Sequence, residues 1–145
     1  MGLDMYLTAK RYIWSHRKED QKIKVVGANI PKGFELKEIS VRAAYWRKEN
    51  AIHKWFVENV QENEDDCKEY FVEVSKLKEL LALVTAAALK NKDSGELPTQ
   101  EGFFFGGTDY DEWYWEGLKG TKEILTKILK EFNEKDWEFY YRSSW

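Results

Sequence analysis

The chain has 145 residues, 43% hydrophobic and 34% charged, with 23 Lys and Arg set against 26 Asp and Glu for a formal net charge of -3. That length suits one domain with its own core, and the single cysteine, Cys67, excludes an internal disulfide or a cysteine-rich metal site. The near balance of charge argues against a protein built to grip duplex nucleic acid, and no apolar window is long enough for a membrane span. The opening "MGLDMYLTAKRY" carries no leader pattern, and Tyr6 stands where a myristoylation motif needs Ser or Thr, so a soluble cytoplasmic protein is expected.

In chain order, "LDMYLTAKRYIW" alternates Leu3, Met5 and Leu7 with polar or aromatic neighbours and predicts a first strand from about Leu3 to Trp14. "SHRKEDQK" reads as a solvated turn. A weaker extended piece over Lys22 to Val26 precedes the breaker-rich "GANIPKG" and the short stretch "FELKEI". From Ser40, Val41, Tyr45, Ile52, Trp55 or Phe56, and Val60 recur at helical spacing, which predicts a helix of about five turns capped by Ser40. An acidic turn, "ENEDDCKE", leads to a strand in "YFVEVS".

Ser75 then caps a helix whose stripe is Leu77, Leu80, Leu81, Val84 and Ala88. A connector is expected from Lys90 to Pro98. Thr108 with Asp111 three residues on gives a capping-box-like start to a third helix, striped by Leu118, Leu125, Ile128, Leu129 and Phe132, with Gly117 and Gly120 weakening its first half. "DWEFYYRSSW" alternates as a terminal strand. The order predicts an α+β fold over residues 1–145, a single domain with about three helices packed on one face of a small, mostly antiparallel sheet.

Aromatic residues are the compositional outlier at 16%, with seven tryptophans, and they concentrate in "LPTQEGFFFGGTDYDEWYW" from Leu97 to Trp115. Large flat side chains either fill a core or stack on planar ligands. If Phe104 faces inward, Phe103 and Phe105 face outward, to line a cavity or meet a second subunit. Along the Ser40 segment, Arg47, Asn50, His53 and Lys54 offer cations, an amide and an imidazole. With Gln100, Glu101, Phe103, Phe105 and Tyr110 they form the predicted ligand-binding set, with Arg and Lys on phosphate, rings on a base, and Asn50 and Gln100 on polar edges.

Gly106 and Gly107 precede a helix start, a place where backbone N–H groups favour an anion, although Asp109, Asp111 and Glu112 cap the same end. Catalytic and metal signatures are weak. Glu49 with His53, or His53 with Glu64, Asp65 and Asp66, lacks a diagnostic spacing, no Walker or dinucleotide glycine pattern occurs, and Cys67 at a strand start reads as structural. No catalytic residue, metal site or cofactor is therefore assigned.

The strings "MGLDMYL", "AYWRKENAIHKWFVENVQ" followed by "DDC", and "LPTQEGFFFGGTDYDEWYW" resemble a family of small proteins encoded by bacteriophages and prophages. Its members often carry the label phosphoglycerate kinase, which does not fit: that kinase has two nucleotide-sandwiching domains, a far longer chain and glycine-rich loops absent here. The resemblance implies a viral accessory role in an infected bacterial cell and transfers no catalytic residue. By analogy with small phage proteins that sequester nucleotide-derived immune signals, it implies a non-catalytic sponge, as a homo-oligomer, for a small anionic planar ligand. The alternatives are a module that blocks a host protein and, behind it, a small hydrolase.

Overall fold

The first predicted strand forms as β1 (Asp4–Tyr12), with Met5, Leu7 and Ala9 buried and Tyr6, Thr8 and Lys10 between them only partly covered. The computed structural model describes residues 2–90 and 97–145, so most of the connector expected from Lys90 to Pro98 lies outside the described residues. After β1 the chain makes one short helix, α1 (Lys18–Gln21), where a solvated turn was expected. Its buried Asp20 accepts from the Trp14 N–H at 2.8 Å and from Arg11 at 2.9 Å, which folds "SHRKED" back on the strand end. Those two donors hold the Asp20 carboxyl below the usual carboxylate range.

The extended piece expected over Lys22–Val26 does not join the sheet, and of "FELKEI" only Glu38 and Ile39 do, as the start of β2 (Glu38–Arg47). The helix expected from Ser40 is thereby corrected. Its first half is strand, and only α2 (Asn50–Asn59) is helical. The spacing of Val41, Tyr45 and Ile52 fits a helix by coincidence, because it joins residues from two elements. What decides the matter is β1, whose edge needs a ladder partner: "SVRAAYW" is rich in strand formers and turns Ala44 and Trp46 inward. A β-bulge opposite Leu7 and Thr8 shifts the register at Ala43. Lys48, at φ 56, then turns the chain sharply into α2.

The remaining elements follow the sequence closely. β3 (Tyr70–Val72) leads into α3 (Val74–Lys90), with Ser75 inside the helix, its hydroxyl on Glu73. α4 (Glu112–Glu131) is capped by Asp111, whose carboxylate accepts from the Tyr114 N–H at 3.2 Å, in place of the Thr108 cap expected. β4 (Glu138–Ser144) completes a four-stranded sheet in the order β2-β1-β4-β3, every neighbouring pair antiparallel.

The architecture is α+β. The buried side chains of β1, β2 and β4 form one core with Ile52 and Phe56 of α2, Leu77, Leu80 and Val84 of α3, and Leu118, Leu125 and Ile128 of α4. Phe56 lies flat on Tyr141 at 3.9 Å between centroids, and the Trp46 indole N–H reaches Thr121 Oγ1 at 3.1 Å, tying sheet to α4. Among the described residues no helix is long and apolar enough to cross a membrane.

Candidate ligand-binding cleft

Two stretches far apart in sequence meet at the start of β1. The Leu3 N–H donates to the Phe104 carbonyl at 2.8 Å, and the Leu3 carbonyl accepts from the Lys48 N–H at 2.8 Å. One buried residue thus pins the β2–α2 junction beside the aromatic loop. Asn50 adds a second clamp: its amide donates to the carbonyls of Phe105 at 3.1 Å and Gly107 at 2.8 Å, and its oxygen accepts from the Gln100 N–H at 3.0 Å. Every polar atom of this side chain faces loop backbone, so Asn50 shapes the loop and has no free edge for a ligand.

The loop also holds itself. Tyr114 donates to the Leu97 carbonyl at 2.7 Å, Thr99 donates through its hydroxyl to the Thr108 carbonyl at 2.8 Å, and the Thr99 N–H reaches the Tyr110 hydroxyl at 3.2 Å. Gly106, at φ 90, comes so close to Lys48 that an added Cβ would stand 3.1 Å from the lysine Cβ.

Between junction and loop lies a cavity of about 320 Å³, lined by Arg47, Lys48, Glu49, Asn50, Ala51 and Thr99 on one side and Gly106, Gly107, Asp109, Asp111, Trp113 and Tyr114 on the other. Trp113 stands at its rim with the indole 82% exposed. Glu49 forms the floor, its carboxyl pressed against Gly117 of α4, where no Cβ would fit. Among the described residues no hydrogen bond or ion pair offsets its burial, and desolvation alone pushes its pKa up to about 7. A half-ionised carboxyl is thus set between two cations and two further carboxylates.

Of the side chains predicted to bind ligand, the cavity contains Arg47 and Asn50. His53 lies outside it, wholly buried, with Nδ1 on the Tyr141 hydroxyl at 2.7 Å and Nε2 on Asp65 Oδ2 at 2.9 Å. The imidazole is part of the polar interior, where it also meets the Phe105 ring edge-on at 5.3 Å. Phe105 is buried and Phe103 is 96% exposed, because "GFFFG" makes a turn, with the Phe105 N–H on the Gly102 carbonyl, where strand alternation was expected. Lys54 pairs loosely with Glu58, Glu101 is exposed, Gln100 contributes its backbone, and Tyr110 packs on Tyr114 behind the rim.

Lys48, Glu49 and Trp113 are cavity residues that the ligand-binding set omitted. The signal for the first two was the polar "KEN" between a strand-forming run and an apolar helical one, the mark of an element junction. Fold and cavity together define an α+β protein with a charged, aromatic-rimmed cleft at a strand–helix junction. Comparison with protein-family models, curated proteins and solved structures finds no match for this chain.

Proposed function

We propose that the chain is a non-catalytic binding protein for a small, planar, anionic ligand of nucleotide type, acting as a phage-encoded sponge for a host immune signal. The observation that carries the reading is the convergence of the β2–α2 junction and the 97–113 loop on one cavity of about 320 Å³. Arg47 and Lys48 supply donors for phosphate, the Trp113 indole supplies a face for a base, and the glycine backbone at 106 and 107 admits close approach. The setting comes from the resemblance of the chain's long strings to phage-encoded proteins.

Charge narrows the ligand further. Asp109, Asp111 and a partly ionised Glu49 share the cavity with the two cations, so a triphosphate would meet strong repulsion. A phosphodiester carries a single charge per phosphate and fits better, and the same carboxylates can accept from amino groups of a base. Cyclic dinucleotides and ADP-ribose derivatives have this chemistry.

Equilibrium dialysis against both ligand classes, followed by heat denaturation and recovery, tests the proposal. Saturable binding and unaltered recovered ligand are expected, with Arg47→Ala weakening affinity about tenfold or more, as for loss of a charge-assisted contact. Chemically altered ligand would identify a hydrolase and overturn the sponge reading. Absence of binding would leave the second reading, a module that blocks a host protein. That reading is favoured by Phe103 at 96% and Trp113 at 82% exposure on the same segment.

A further inference from the structure

We propose that the open face of the sheet binds single-stranded nucleic acid by stacking unpaired bases on its tyrosines, a site separate from the cleft. The helices cover one face only, through Met5, Leu7, Ala44, Trp46, Phe139 and Tyr141. The opposite face is left to Tyr6, Thr8, Arg42, Tyr45, Tyr140 and Arg142, which the register arranges in two adjacent rows across the strands. One row runs Arg142, Tyr6, Tyr45, and the next runs Phe71, Tyr140, Thr8, Arg42.

These rows have the parts that unpaired bases require. Tyr6 and Tyr140 stand on the two central strands as diagonal neighbours, a separation of about 7 to 8 Å at the backbone. Successive splayed bases of an extended strand can span that distance, and central-strand aromatics on a four-stranded sheet are a recurrent way of stacking two or three bases. Tyr45 lies 5.5 Å from Tyr6 and Phe71 lies 5.7 Å from Tyr140, so each central ring has an aromatic neighbour that extends the platform sideways. The Tyr140 hydroxyl is held by Glu138 at 2.8 Å and that of Tyr45 by Asp4, which orients the rings at little entropic cost on binding.

Charge on the face matches a phosphodiester backbone where it matters. Neither row contains a carboxylate. The acids of the face sit in the outer rows, with Asp4 opposite Arg47 and Glu138 opposite Lys10, whose ammonium also pairs with Glu69 at 2.6 Å. Arg42 lies over the Tyr6 ring at 5.0 Å and Arg142 donates to the Cys67 carbonyl at 3.3 Å. Among the described residues neither guanidinium has a carboxylate in ion-pair range. Two uncompensated cations therefore flank the tyrosine platform, and a duplex, whose base faces are hidden, gains nothing from it.

Fluorescence anisotropy of a labelled oligothymidylate, alone and annealed to its complement, tests the site. The single strand is expected to bind at least about tenfold more tightly than the duplex, and Tyr6→Ala or Tyr140→Ala to weaken it about tenfold each. Arg42→Ala, at an exposed position, should preserve the fold and reduce the salt dependence by roughly 0.7 of a log unit per log unit. Trp113→Ala, in the cleft, should leave oligonucleotide affinity unchanged. Absence of binding, equal affinity for duplex, or affinity that survives the Tyr6 and Arg42 substitutions would each overturn the proposal.

Discussion

Glu49 couples the cleft to pH. Its ordinary value is 4.5 and burial raises it to about 7, so between those limits the folded chain holds a proton that the unfolded chain has released. Stability from this group is complete below pH 4.5, falls as pH rises through the window, and levels off above about 7. Glu49→Gln should accordingly raise the thermal midpoint above pH 7 and leave it nearly unchanged below 4.5, as calorimetry at the two ends would show. Ionisation also adds a negative charge to the cleft floor, so wild-type affinity for an anionic ligand should weaken as pH rises through about 7, and Glu49→Gln should flatten that profile. Deeper in, Tyr141→Phe removes the hydroxyl that meets His53 Nδ1 and leaves a buried ring nitrogen unpaired. A loss of about 1 to 3 kcal/mol is expected in urea denaturation. The histidine was visible in the sequence as a chemically able side chain, but its burial depends on Asp65 and Tyr141, partners 12 and 88 residues away, which no local pattern reveals.

Among the elements, the junction of β2 and α2 was the hardest to foresee. Periodicity follows Val41, Tyr45 and Ile52 through the junction as though the chain were continuous, whereas the ladder to β1 and the left-handed Lys48 divide it. Tertiary pairing overrides a local period most easily where β-branched and aromatic residues suit either state. The strands β1 and β4 and the helices α3 and α4 were legible because their apolar spacing matches a single period from end to end. Asn50 is the element-scale clamp: Asn50→Ala deletes three loop hydrogen bonds and should destabilise the fold by about 2 kcal/mol or more, with faster amide exchange at Gly107 and Gln100. In α4 the two glycines should behave oppositely. Gly120 faces open space, so Gly120→Ala should stabilise by up to about 1 kcal/mol. At Gly117 a methyl group would displace the Glu49 carboxyl into the cleft, and the gain should vanish while the Glu49 pKa moves back toward 4.5.

At the scale of the molecule, the α+β class and the antiparallel sheet followed from element order, and the meeting of the 97–113 loop with the segment after Ser40 followed from the chemistry both carry. The cavity membership did not, because it depends on two clamps, Leu3 and Asn50, whose bonds run across the chain. Those clamps make the cleft a fixed feature of the fold, and its cations, indole and glycine backbone give it a ligand class. The most direct test is an NMR titration of the labelled protein with a cyclic dinucleotide and with ADP-ribose. Saturable shifts are predicted at the Trp113 indole N–H and at the amides of Lys48, Gly106 and Gly107, with Lys54 and Phe103 unmoved. No shifts with either ligand, or shifts confined to residues outside the cleft, would contradict the account.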